Sequence, residues 1–281
     1  MVGHDANMAP PLKKDTVECI GLIPAGGRAE RISPLPCSKE IFPVGFGEIK
    51  QKGRRHPKVA AHYLLEKMHL AKATKAYFVL AKGKWDIPAY FGDGSIVNMA
   101  IGYLVTEMSY GVPFTLDSAF SFLKNKRVLF GFPDIILQPD DVYPRLIDRM
   151  QSSRADIVLG LFVAQDPAKM DMVDLSADGT VCGIQIKPKR TNLRWTWIIA
   201  VWNFSFTQFI HNYVQQYLDT IAVENGGLKR DCHKHKEIYL GDVIQKAIES
   251  EMKIDKVMFN TGTYIDIGSP ADMATAIQTQ A

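Results

Sequence analysis

The chain has 281 residues, of which 47% are hydrophobic and 22% charged, a balance that indicates a folded protein and excludes a disordered or fibrous one. Its 33 basic and 30 acidic side chains give a net charge of +3, which is too small to indicate a nucleic-acid-binding or membrane surface. Four cysteines without a CxxC pair favour neither a zinc site nor a disulfide framework and suit a reducing cytosol.

The first residues lack the apolar stretch of a signal peptide, and no uncharged apolar run approaches the roughly 20 residues that span a bilayer. We therefore expect a cytoplasmic protein. The length favours one large domain, which we place at residues 17–281, after a flexible N-terminal tail at residues 1–16.

Short apolar runs rich in β-branched and aromatic residues predict buried strands along the chain. These runs begin at Cys19, Ala76, Gly102, Arg127, Asp156, Trp197 and Lys253. Apolar residues recur at helical spacing over 59–68, 206–218 and 243–248. The alternation predicts an α/β fold, with a Rossmann-like, mostly parallel mixed sheet and helices on both faces.

Two charged segments are interpreted as polar loops, namely Glu48–Lys58 and Asn225–Glu237. Pro57, at the end of the first segment, is expected in the first turn of the following helix. The second segment contains Cys232, His233 and His235, which could bind a metal, although adjacent ligands between Lys and Arg are more typical of a solvated loop.

The segment LIPAGGRAERISPLPCSKEIFPV, from Leu22, leaves the first strand and carries the pattern richest in chemistry. Gly26 and Gly27 allow backbone N–H groups to approach phosphate oxygens, and Arg28, Arg31 and Lys39 supply positive charge. The residues alone fit equally a phosphate-binding loop and a strand-to-helix turn with surface charges. The glycine spacing matches neither a dinucleotide fingerprint nor a P-loop.

The segment resembles the GGxGTRLxPxTxxxPKxLxPV signature of the sugar-1-phosphate nucleotidyltransferases, also called sugar-nucleotide pyrophosphorylases. Further segments similar to this family extend from about Cys19 to Ala276. They are YFGDGSIVNMAIGYLVTE from Tyr90, VPFTLDSAFSFL from Val112, VLFGFPDIIL from Val128, VCGIQIKP from Val181 and GTYIDIGSPADMATA from Gly262.

The resemblance implies a fold of the nucleotide-diphospho-sugar transferase type and a role for each matching residue. Arg31 and Lys39 would bind the triphosphate and stabilise the charge on leaving pyrophosphate, and Lys187, the lysine of the family's EKP element, would hold the sugar phosphate. Asp134 and Asp266 would bind Mg²⁺, although a strand-end aspartate also fits a helix or turn cap. The residues that would bind the nucleotide are Gly26, Gly27, Arg28, Phe114 and Asp117.

Several positions depart from the family pattern. Ala29 and Glu30 replace a Gly-Thr pair in the phosphate loop, and Pro133 replaces the glycine of a GD element. Phe114 replaces the glycine of GTADAL and could offer a stacking face to the base. Ile186 replaces the glutamate of EKP, which reads sugar hydroxyls in the family, so we expect an acceptor with an apolar or deoxy face there.

The leading hypothesis is an enzyme that transfers a nucleoside monophosphate from a nucleoside triphosphate to a sugar 1-phosphate or a related acceptor. Because the chain stops soon after its last predicted helix, we expect a catalytic-only form without a left-handed β-helix domain. One alternative is a degenerate homologue that binds a nucleotide or sugar phosphate as a regulatory protein. Another is a cytidylyltransferase for a non-sugar alcohol phosphate.

The resemblance makes a homo-oligomer reasonable. Trp195, Trp197 and Trp202 fit either the acceptor pocket or the core.

Overall fold

A computed structural model describes residues 17–27, 29–49, 54–106, 110–224 and 237–280. The predicted tail over 1–16, Arg28 and nearly all of the segment Asn225–Glu237, with Cys232, His233 and His235, lie outside the described residues. No helix within the described ranges is long and apolar enough to cross a membrane.

The described chain contains 13 strands and seven α-helices. The strands are β1 (Cys19–Ala25), β2 (Pro43–Ile49), β3 (Arg54–Val59), β4 (Lys75–Ala81), β5 (Ala100–Thr106), β6 (Arg127–Gly131), β7 (Ile135–Gln138), β8 (Ile157–Val163), β9 (Asp171–Leu175), β10 (Val181–Ile186), β11 (Trp195–Trp202), β12 (Ile254–Phe259) and β13 (Thr263–Asp266). The helices are α1 (Ala60–Leu70), α2 (Asp86–Phe91), α3 (Val112–Asp117), α4 (Val142–Ser153), α5 (Phe204–Glu224), α6 (Leu240–Glu249) and α7 (Pro270–Gln280).

Nine of these strands form one mixed sheet, in the order β10-β9-β11-β6-β1-β4-β5, with β8 and β12 joined to it through β11. The centre, from β6 through β1 and β4 to β5, is parallel. Strand β11 is antiparallel to β6, β8 and β9. All seven apolar runs predicted from the sequence form strands of this sheet.

Helices cover both faces of the sheet, and each face has its own core. On one face, Leu64 and Met68 of α1 pack with Leu146 and Met150 of α4. On the other face, residues of α3, α5 and α6 pack together, with Phe206 as one of the largest fully buried side chains. The predicted mixed α/β sheet with helices on both faces is therefore confirmed.

The interpretation of Glu48–Lys58 as a loop is wrong, because residues 48–49 and 54–58 belong to the two strands of a β-hairpin. Strands β2 and β3 pair antiparallel in a separate two-stranded sheet. Pro57 lies opposite Phe46 in this hairpin, not in the first turn of a helix, and α1 begins at Ala60. β3 reads RRHPKV, with charge in place of an apolar run, and glycines interrupt the apolar residues of β2, which reads PVGFGEI, so neither segment shows a strand pattern.

A second small sheet, which the sequence pattern did not reveal, pairs β7 with β13 antiparallel. Each strand has only four residues, too few for a clear period. Its register places Asp266 opposite Ile135, the residue that follows Asp134. The small sheet therefore brings together two aspartates that are more than a hundred residues apart in the chain.

Candidate active site

The loop after β1 lies at the carboxyl end of the parallel centre of the sheet, the edge where α/β proteins bind ligands. A Cβ on Gly27 would lie 3.9 Å from Nζ of Lys39, and one on Gly26 would lie 3.8 Å from Oγ1 of Thr115 in α3. Ala29 has a φ of 56°, a left-handed conformation at the position where the family motif has glycine. Ala29 thus keeps the left-handed backbone conformation that glycine favours.

Lys39 opens a short 3₁₀ helix, Lys39–Ile41, whose start is fixed by the carboxylate of Asp86 at the first residue of α2. Oδ2 of Asp86 accepts a hydrogen bond from the backbone N–H of Ser38 at 2.6 Å, and Oδ1 accepts one from its hydroxyl at 2.7 Å. Despite burial, these bonds lower the pKa of Asp86. Asp86 is therefore an anchor for Lys39, and the sequence analysis missed it.

Asp134 is the third residue after β6, beside the loop that follows β1. Its backbone oxygen accepts a hydrogen bond from the N–H of Ile267 at 3.0 Å, and Oδ1 of Asp266 accepts one from the N–H of Gly268 at 2.8 Å. Nζ of Lys39 forms an ion pair with Oδ2 of Asp134. The structure thus brings together the two aspartates predicted to bind a metal and the lysine predicted to bind phosphate.

Arg31 lies against Gly268, near Asp266. A Cβ on Gly268 would lie 2.6 Å from Nη2 of Arg31 and 2.8 Å from Oδ1 of Asp266, so only glycine leaves room for both side chains. We call Arg31, Lys39, Asp134 and Asp266 the first charge cluster.

The pKa shifts in the first charge cluster follow from burial and mutual attraction. Burial, followed by the charge of Asp134, raises the pKa of Asp266, whereas Lys39 and Arg31 oppose that rise. Burial would lower the pKa of Lys39, but Asp134, Glu40 and Asp266 together raise it. Lys39 therefore stays charged in this environment.

Glu40 is a second residue that the sequence analysis missed. Its side chain is 1% exposed, and Oε1 accepts a hydrogen bond from Nζ of Lys84 at 2.5 Å. Oε2 is buried without a hydrogen-bond partner among the described residues. Burial raises the pKa of Glu40 although Lys84 opposes the shift. The position directly after Lys39 in the motif is the signal that could have found it.

Lys187 directly follows β10, and its neighbours differ from those of the first charge cluster. Its φ is 41°, and its Nζ lies 3.8 Å from the centroid of the Tyr239 ring, a cation–π contact. Asp171, at the start of β9, lies directly opposite Ile186. We call Asp171, Ile186, Lys187 and Tyr239 the second cluster.

Phe114 and Asp117, the two other residues predicted to bind nucleotide, are placed in the packing of α3 against α5. The Phe114 ring lies 5.2 Å from that of Tyr110 and 5.3 Å from that of Tyr217, measured between centroids. Oδ1 of Asp117 lies 2.8 Å from Nδ1 of His211. None of these contacts joins Phe114 or Asp117 to the first charge cluster. That the two residues bind the nucleotide stays a prediction.

Of Trp195, Trp197 and Trp202, the last two belong to the core. Trp197 is 5% and Trp202 1% exposed, and Nε1 of Trp202 donates a hydrogen bond to Oγ1 of Thr207 at 3.0 Å. Trp195 is half-buried, with the guanidinium of Arg194 over its ring.

The first charge cluster offers two carboxylates as hard oxygen ligands. Within the described ranges, no group of three or more His, Cys, Asp and Glu side chains could hold a metal ion. A cation bound by Asp134 and Asp266 would therefore need further oxygens from water or a phosphate, the usual coordination of Mg²⁺ beside a nucleotide.

No protein-family model matches the chain. Among curated proteins, it is 24% identical over 263 residues to the low-salt glycan biosynthesis nucleotidyltransferase Agl11 of Haloferax volcanii. The match covers 92% of this chain and 65% of that protein, so the chain spans less than two thirds of the relative's length.

Solved structures share the fold over nearly the whole chain. One, described as a glucose-1-phosphate thymidylyltransferase from Bacillus anthracis, has a TM-score of 0.73 and 17% identity, covering 93% of this chain and 95% of its own. A UDP-glucose pyrophosphorylase in complex with UDP-glucose has a TM-score of 0.72 and 14% identity, with 94% and 98% covered. A UDP-glucose pyrophosphorylase from Acinetobacter baumannii has a TM-score of 0.70 and 16% identity, with 94% and 93% covered. The resemblance indicated by the motifs is confirmed, and the fold is the one that these nucleotidyltransferases have.

Proposed function

We propose that the chain is an enzyme that transfers a nucleoside monophosphate from a nucleoside triphosphate to a sugar 1-phosphate and releases pyrophosphate. The observation that carries the proposal is the first charge cluster, which gathers Lys39, Asp134, Asp266 and Arg31 beside the loop that follows β1. The curated relative is named a nucleotidyltransferase, and solved structures of this fold are named as a glucose-1-phosphate thymidylyltransferase and a UDP-glucose pyrophosphorylase.

In this reaction an oxygen of the sugar phosphate attacks the α-phosphorus in line, and the bond from the α-phosphorus to the bridging oxygen of pyrophosphate breaks. Positioning and charge neutralisation account for most of such catalysis. Arg31 and Lys39 would neutralise the charge that develops on pyrophosphate, and Gly26 and Gly27 would offer backbone N–H groups to the triphosphate. Lys187 would bind the phosphate of the acceptor.

Asp134 and Asp266 fit Mg²⁺ because they place two hard carboxylates next to each other. Burial and the charge of Asp134 disfavour the ionised form of Asp266, and a bound cation would offset both effects. Bound there, Mg²⁺ would supply positive charge to phosphate oxygens. The cytoplasmic location and the homo-oligomer stay predictions from the sequence, as does the single catalytic domain over residues 17–281.

The test is pyrophosphate release from the purified chain with Mg²⁺, five nucleoside triphosphates and a panel of sugar 1-phosphates. We expect release that requires both one triphosphate and one acceptor and that is lost in Asp134→Asn. If calorimetry detects nucleotide binding but no pair of triphosphate and acceptor gives turnover, the proposed enzymatic function is contradicted. The alternative of a regulatory protein that binds a nucleotide is then supported.

A further inference from the structure

The second cluster contains a carboxylate that the family pattern does not assign. Strands β9 and β10 are antiparallel, and Asp171 is the cross-strand partner of Ile186. Directly opposite residues in such a pair point to the same face, with Cβ atoms about 4.5–5.5 Å apart. A carboxylate at 171 can therefore reach much of the space that a glutamate at 186 would reach.

The side chains of Asp171 and Ile186 indeed meet at one place, the start of α6. A Cβ on Gly241 would lie 2.5 Å from Oδ2 of Asp171 and 2.6 Å from Cδ1 of Ile186. Glycine at 241 leaves the space that the two side chains occupy. The isoleucine and the aspartate thus form one surface.

The Asp171 carboxylate is not satisfied within the described chain. Its Oδ1 is buried and has no hydrogen-bond partner among the described residues, whereas most buried polar atoms in proteins have one. Burial raises the pKa of Asp171 to about 6; Lys187 opposes the rise, and Asp242 and Glu237 add to it. A donor that arrives with a ligand would satisfy this oxygen.

Lys187 follows Ile186 directly, and its positive φ turns the chain at this point. Its ammonium lies over the Tyr239 ring, close enough to Asp171 to act on that carboxyl's pKa. The two paired strands thus offer, at neighbouring positions, a cation, which suits a phosphate, and a carboxylate, which suits a hydroxyl group.

We propose that Asp171 binds a hydroxyl group of the acceptor and determines acceptor specificity, replacing from the opposite strand the glutamate that Ile186 lacks. The inference rests on the proposed function and reverses the expectation of an acceptor with an apolar or deoxy face. The acceptor is a sugar 1-phosphate whose phosphate meets Lys187 and whose hydroxyl donates to Asp171.

The test compares Asp171→Asn with the wild type and with a swap variant, Asp171→Val combined with Ile186→Glu, which returns the carboxylate to β10. The matched control is Asp174→Asn, since residue 174 lies on the same strand and points to the other face. In Asp171→Asn we expect the acceptor KM to rise about 10- to 100-fold, as for the loss of a hydrogen bond to a charged group. The KM of the triphosphate should not change.

The swap variant should recover at least part of the acceptor affinity, which a merely structural role for Asp171 would not allow. Monodeoxy analogues of the acceptor add a second readout, because the wild type should discriminate against one of them and Asp171→Asn should not. Turnover with an unchanged acceptor KM and unchanged discrimination in Asp171→Asn would overturn the assignment of Asp171 and leave the proposed function intact.

Absence of turnover in the wild type would count against the proposed function. In that case, calorimetry with hexose 1-phosphates still tests the role of Asp171. Weaker binding to Asp171→Asn than to the wild type and Asp174→Asn would support the role of Asp171. Equal binding to all three, or no binding of any hexose 1-phosphate to the wild type, would overturn it.

Discussion

The first charge cluster and the second cluster hold their charges in different ways. In the first, Lys39 pairs with Asp134, and Arg31 and Lys39 both act on Asp266, so each charge faces an opposite one. In the second, a buried oxygen of Asp171 has no partner in the described chain, and the ammonium of Lys187 lies over an aromatic ring. The first cluster follows the family motif, whereas the second departs from it at Ile186. On the proposed function, the residues that meet the triphosphate keep the positions of the family motif, whereas the carboxylate proposed to meet the acceptor lies on β9 instead of β10.

The largest effect is expected from Asp266→Asn, which removes one of the two carboxylates proposed to bind Mg²⁺. Turnover should fall by about 100- to 1000-fold, the range found when a group that stabilises transition-state charge is removed. Pyrophosphate release at saturating substrates measures it. Asp178→Asn, in an exposed turn, is the control for loss of a negative charge. A loss of less than tenfold in Asp266→Asn would contradict the metal assignment.

Arg31→Ala tests whether the first charge cluster acts in the transition state. A guanidinium that meets developing charge contributes mainly to turnover, so kcat should fall about 100-fold while the Kd of the triphosphate changes little. Single-turnover kinetics and calorimetry separate these quantities, and Arg31→Lys should retain part of the activity. An unchanged kcat would show that Arg31 is the wrong arginine and would make Arg28 the candidate.

Asp171→Asn should stabilise the ligand-free protein at neutral pH. A substitution in the first charge cluster, where the charges are paired, should not. The folded pKa of about 6 lies above the ordinary value of 3.8, so the folded chain binds the proton more tightly than the unfolded chain. The ionised carboxylate therefore lowers the free energy of unfolding as pH rises from about 4 to about 6, and the cost persists above pH 6, reaching up to about 3 kcal/mol.

Urea unfolding at pH 4.5 and pH 8 measures this prediction. The gain from Asp171→Asn should be larger at pH 8. If the variant instead loses stability at pH 8, the carboxylate serves the fold, for example at the start of α6, and the contrast between the two clusters disappears.

The smallest effect is expected from Asp86→Asn, which leaves one acceptor oxygen for the two donors of Ser38. The start of the 3₁₀ helix that carries Lys39 should loosen, lowering kcat by about 3- to 10-fold and the free energy of unfolding by about 1 kcal/mol. Asp93→Asn is a matched control, because Oδ1 of this exposed aspartate also accepts a serine N–H, that of Ser95, at 2.9 Å. Equal losses of kcat in both variants would argue against a positioning role for Asp86.

Local signals predicted a large part of the fold. Seven apolar runs form strands as expected, because a buried strand needs a continuous apolar sequence wherever it lies in the sheet. Six strands were missed. Glycines interrupt β2 and charge fills β3, β7 and β13 have only four residues each, and polar residues interrupt the short strands β9 and β10, so none of the six shows a distinct apolar run. Asp86 and Glu40 were missed for another reason: their partners, Ser38 and Lys84, lie 48 and 44 residues away in the chain.

The sequence by itself determined seven of the strand-forming segments, the glycine-rich loop and the motif positions of Arg31, Lys39, Asp134, Lys187 and Asp266, because each depends on residue types within a short stretch. Only the tertiary structure decided which of these side chains meet. The pairing of β7 with β13 joins Asp134 to Asp266, and the register of β9 on β10 sets Asp171 opposite Ile186. Register depends on how distant segments pack, and a shift of one residue would turn Asp171 to the other face of the sheet.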